Sequence, residues 1–151
     1  RKIKMVIFEL GIVKSGVPLV SKQYYKEYNV NVDSVLRAGF LSGLTTFVKE
    51  VFSDNIESFT MKNFKIAFIS HFLNQKKGEN IICFVIGDKN LKLKFAKKAL
   101  TEVLNEFLKK YGNLENFSGD LNIFSEFSKV LDEILGDLIR KPDERFRSVF
   151  E

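Results

Sequence analysis

The chain has no tryptophan, two prolines, one cysteine and one histidine in 151 residues. A lone cysteine, Cys83, excludes an internal disulfide. Its neighbours Ile81, Ile82, Phe84 and Val85 point to a buried, inert thiol, and the expected setting is a reducing cytoplasm. The lone histidine, His71, stands in a strand-like run with no cysteine or carboxylate at ligand spacing, so it reads as a polar strand residue and no metal site is expected. Apolar runs stop well short of the ~20 residues a membrane helix needs. The GxxxxGK[ST] loop that cradles phosphate and the GxSxG elbow of acyl chemistry are both missing. Gly87-Asp88, at a strand end, reads as a turn. The expectation is a non-enzymatic protein without cofactor or metal.

What is present suits an ordinary packed domain. Hydrophobic residues make up 45% and charged residues 28%, and sixteen phenylalanines supply an aromatic core. Residues 1–140 read as one domain and 141–151 as a short charged tail. The net charge is +5. Residues 91–111 hold six basic and two acidic groups, whereas 113–139 hold one and six. Basic and acidic segments in succession suggest internal neutralisation, and nucleic acid is not expected as a partner.

Hydrophobic patterning gives the element order. Ile3 to Val13 is apolar almost throughout, as a central strand covered on both faces would be. Lys14-Ser15-Gly16 is a turn, and Val17 to Tyr25 follows as a second strand, with Pro18 near its start assigning it to an edge or an opening position. Asp33 to Phe52 is the first helical pattern. Ile56–Lys62, Phe64–Leu73 and Ile81–Ile86 are three further strands, the last again apolar on both faces. Leu91–Tyr111 and Asp120–Arg140 are helices, with Gly112-Asn113 as C-cap of the first and Pro142 closing the second. The short links between strands require a mainly antiparallel sheet. Two doubly covered strands require helices on both sides. The predicted fold is a three-layer α/β/α sandwich of the α+β kind, in the order β-β-α-β-β-β-α-α, with the first helix alone on one face.

Within the first helix, spacing at 100° per residue places Leu36, Phe40, Gly43, Leu44, Phe47 and Val51 on one side, flanked by Leu41, Val48 and Phe52. Ser42, Thr45, Thr46, Lys49 and Glu50 fill the other. This arc is wider than a helix needs to cover a sheet. It is expected to lie across a broad sheet; the sharper alternative is that one flank of the arc meets a partner. Gly39 and Gly43 are expected to allow close approach to the strands.

This order, with its GIVKSGVPLVSKQYYK hairpin and LRAGFLSGLTTFVKEVF helix, resembles a longin-like domain of the longin/roadblock superfamily, over about residues 3–139. In texture it resembles prokaryotic small-GTPase-associated longin or roadblock-type proteins in particular. The resemblance implies a longin/profilin-like fold. It also implies an adaptor or regulator of small GTPases in a trafficking- or polarity-like system, working as a homo- or heterodimer with a GTPase or another longin/roadblock-type subunit. The first helix and its adjacent edge strand are the contact region so implied. Candidates there are Phe40, Leu44, Phe47, Val51 and Phe59, with Arg37 as a possible arginine finger towards a phosphoryl group.

Two other surfaces offer alternatives. Lys92, Lys94, Lys97 and Lys98 surround Phe95 and suit an acidic partner or an anionic membrane surface, giving a peripheral membrane contact. The plainer reading sets these lysines against Asp132, Glu133 or Asp137. A small-molecule sensor is the other alternative and needs a cavity with convergent polar groups, which dense phenylalanine packing disfavours.

Overall fold

A computed structural model describes residues 6–24, 34–74, 79–112 and 124–136. Five strands form one sheet: β1 (Ile7–Lys14), β2 (Val17–Gln23), β3 (Ser58–Thr60), β4 (Phe64–Asn74) and β5 (Glu79–Asp88). Among the described residues three helices accompany them: α1 (Ser34–Phe52), α2 (Leu93–Tyr111) and α3 (Phe127–Leu135). The order is the predicted one. Spatially the strands run β2-β1-β5-β4-β3, and each neighbouring pair is antiparallel.

The central places go to β1 and β5, the two strands whose residues are apolar on both faces. Alternation along them divides the interior in two. Leu10, Ile12, Ile81, Cys83 and Val85 point to the side where α2 brings Ala96, Leu100, Val103 and Phe107 and α3 brings Phe127, Leu131 and Leu135. Phe8, Val13, Ile82, Phe84 and Ile86 point to the opposite side, beneath Ala38 and Leu41 of α1. The three-layer sandwich is therefore the observed architecture, with α1 the one helix on its face among the described residues.

Local chemistry explains the joints. Ser15 and Gly16 have φ of 47° and 86°, and such a two-residue loop with both angles positive matches the right-handed twist of a hairpin. Pro18 is accommodated because β2 lies at the sheet edge. Leu19 is an extra residue in the register opposite β1, so Leu19 and Val20 both enter the α2–α3 core. The N–H of Gly112, at φ 67°, donates to the carbonyl of Leu108 at 2.7 Å and ends α2. Lys22 of β2 reaches Asp132 of α3 at 2.7 Å and ties the last helix to that edge.

The elements are shorter than expected where the pattern is weak. β3 has three residues instead of the seven of Ile56–Lys62, and α3 spans nine residues. Asp33 at the start of the expected helical pattern, the N-terminal part of the first strand and the expected ends of the last helix lie outside the described residues. So do Asp137 and the tail 141–151.

Candidate interaction surface

The bulge in β1 sets up the surface on the α1 side. Ile7 pairs with Gly87 and Glu9 with Ile86, which leaves Phe8 as the extra residue. A carboxylate is thereby placed under α1, in a strand otherwise apolar on both faces. Glu9 is ion-paired with Arg37 of α1 and accepts hydrogen bonds from Ser21 and Gln23 of β2, each at 3.4 Å. Burial raises the Glu9 pKa, while Arg37 and these hydrogen bonds oppose the rise. The guanidinium also sits 5.5 Å from the centre of the Phe84 ring. Gly11 makes room for that ring, since a Cβ there would lie 2.5 Å from it.

This anchor corrects the expected orientation of α1. Its sheet-facing residues are Arg37, Ala38, Leu41 and Thr45, with Leu44 only partly buried. Thr45, placed on the polar side by periodicity, is buried and donates its hydroxyl to the Leu41 carbonyl at 2.8 Å. The expected core stripe faces outwards: Leu36 is 70% exposed, Phe40 51%, Phe47 55% and Val51 58%. At 100° per residue the helix is turned by roughly a third of a revolution from its apolar arc. The Glu9–Arg37 pair and the small side chains of Ala38 and Thr45 select this contact. Gly39 and Gly43 meet open space instead of strands.

Arg37 is corrected in the same way. At 8% exposed and ion-paired with Glu9, its guanidinium is turned into the interior under α1 and not outwards towards a phosphoryl group. The other candidates on this face come together. Phe40 packs edge-on against Phe59 of β3 with centroids 6.1 Å apart, and Phe47 does the same with Phe52 at 6.1 Å. Leu44 belongs to the core beneath them. Val35 and Phe52, absent from the expected set, extend the exposed apolar surface. The face therefore runs from α1 onto β3, the last strand of the sheet. One signal in the sequence could have exposed the true geometry. Arg37 is the single arginine between residues 2 and 139, and the lone carboxylate of an apolar strand requires a cation.

The second helix shows a different division. Lys97 pairs with Glu57, just ahead of β3, and not with α3. Lys110 reaches Glu126 at 3.6 Å, and Asp132 is taken by Lys22. Lys92, Lys94, Phe95 and Lys98 are exposed. The plain expectation that these lysines face Asp132 or Glu133 is therefore corrected, because another strand supplies the cation. Tyr24, beside α3, has its hydroxyl pKa pushed up by burial and by the nearby Asp132 carboxylate.

Other sites are quickly placed. Cys83 is fully buried, which pushes its thiol pKa up. His71 is exposed on β4 opposite Ile81, and among the described residues no group of three His, Cys, Asp or Glu side chains could hold a metal. The Asp88 carboxylate accepts from the Asn90 and Val6 amides at 3.1 and 3.3 Å, so it works as a turn residue. An open groove of about 510 Å³ lies along α1, between Ser42, Thr46 and Glu50 on one side and Ser15 of the hairpin turn and Asn80 of β5 on the other. No described helix is long and apolar enough to cross a membrane. Neither a protein-family model nor a curated protein sequence matches the chain.

Proposed function

We propose that this protein is a non-enzymatic interaction module whose α1–β3 face receives a protein partner, as a dimeric adaptor or regulator of small GTPases would. One observation carries the reading. The apolar arc of α1 is turned away from the sheet, leaving Leu36, Phe40, Phe47 and Val51 exposed beside Phe59 on an edge strand. Contiguous exposed apolar surface of this kind marks contact sites in soluble domains. Aromatic side chains already paired edge-on lose little freedom on binding and make good anchors. The resemblance to longin and roadblock domains supports a GTPase or a second subunit of similar type as the partner.

Light scattering across a concentration series tests dimerisation, and a pull-down against small GTPases of the same source tests the partner class. Phe40→Ser with Phe47→Ser should weaken either association at least tenfold, a scale expected for central anchors. Stability should change by only about 0.5 kcal/mol, because both rings are half exposed before binding. A protein that stays monomeric and ignores every GTPase would reject the proposal.

A further inference from the structure

A second surface lies at one end of the sheet. Phe64 pairs with Asp88 and Thr60 with Lys65, so the turn joining β3 to β4 and the turn leading from β5 into α2 emerge side by side. Each turn is closed by its own backbone: the Met61 amide donates to the Phe64 carbonyl at 2.8 Å, and the Leu91 amide to the Asp88 carbonyl at 3.1 Å. Adjacent antiparallel strands lie about 5 Å apart, so residues on the two turns are near neighbours.

The charges gathered there are one-sided. Residues 57–65 and 88–98 contain seven lysines, Lys62, Lys65, Lys89, Lys92, Lys94, Lys97 and Lys98, against two carboxylates. Both carboxylates are engaged, Glu57 with Lys97 and Asp88 with backbone amides. Of the seven, Lys97 alone forms an ion pair with another described residue. Lys62, Lys89, Lys92, Lys94 and Lys98 are exposed, and two apolar side chains, Met61 and Phe95, protrude among them.

We propose that this pole docks onto a membrane surface bearing anionic phospholipids. The charge is complementary to such a surface. The lysines are carried on turns and a helix start at the tip of the sheet, where a plane can reach them together. Met61 and Phe95 are placed to enter the headgroup region between them. A nucleic-acid strand would instead be tracked by lysines along a groove interleaved with stacking aromatics, whereas the lysines here sit on two turns and a helix start.

The test is sedimentation of the whole chain with phosphatidylcholine vesicles, with and without phosphatidylserine. Binding is expected only with phosphatidylserine, and raising salt from ~0.1 to ~1 M, which shortens the screening length from ~10 to ~3 Å, should release most of it. Lys89→Ala with Lys94→Ala should lower partitioning about 25-fold, at about fivefold per lysine near the surface. Lys109→Ala with Lys129→Ala, the same charge removed from elsewhere, should change it less than twofold. Circular dichroism melts of both variants confirm that each is folded. Equal losses from the two pairs, binding to neutral vesicles, or a preference for a single-stranded oligonucleotide or polyglutamate over vesicles would each overturn the proposal. The outcome is independent of dimerisation and of GTPase binding, which use the α1–β3 face.

Discussion

Arg37→Leu tests whether the buried charge pair sets the position of α1. Glu9 and Arg37 are both almost wholly buried, and after the substitution Glu9 keeps only the two 3.4 Å hydrogen bonds from Ser21 and Gln23. Removing one partner of a buried pair costs about 3–5 kcal/mol, because the remaining charge is left desolvated. For a domain of this size each kcal/mol lowers Tm by about 2–4 °C, so the melt should fall by about 6–20 °C. The double variant Glu9→Leu with Arg37→Leu leaves no stranded charge and should recover most of the loss. Urea titrations followed by helical circular dichroism measure all three variants; the chain has no tryptophan to report by fluorescence. Additive single-variant losses, with no recovery of at least about 1.5 kcal/mol in the double variant, would refute the reasoning, since coupled groups must show an interaction energy.

Further expectations rest on other parts of the sheet. The folded-state pKa of Glu9 is raised, so the native protein holds that proton more tightly than the unfolded chain. Its contribution to stability is present below the ordinary carboxylate value of 4.5 and is lost as pH rises through the folded value. The stability of the wild type minus that of Glu9→Gln should therefore decline across that interval, and a rising difference would contradict the burial argument. Gly87→Ala puts a Cβ 2.8 Å from the Val6 carbonyl oxygen, a backbone atom that can yield only if β1 moves. A loss of about 1–3 kcal/mol is expected in thermal melts. Cys83, buried with a raised thiol pKa, should resist a disulfide reagent in the native protein and react at once in denaturant.

The layers of this fold were legible in the residues because burial on two faces leaves an unmistakable pattern. Ile81–Ile86 and the apolar run ending at Val13 have no polar alternation, so each had to lie centrally beneath helices on both sides. Hairpin and cap chemistry at Ser15-Gly16 and Gly112 was equally local and equally readable. The rotation of α1 was not. A helical wheel ranks faces by hydrophobicity, but the sheet accepted the face that could place Arg37 over Glu9 and set small side chains, Ala38 and Thr45, close to the strands. That choice depends on a bulge at Phe8 and on a glycine at position 11 that admits the Phe84 ring. Both involve groups far apart in the chain, as does the neighbourhood of two turns that gathers Lys62 and Lys89. Periodicity by itself determined which elements form and how deeply each strand is buried. Which way α1 faces, and which charges meet, was decided only by tertiary contacts, because those energies belong to pairs of residues and not to any single stretch.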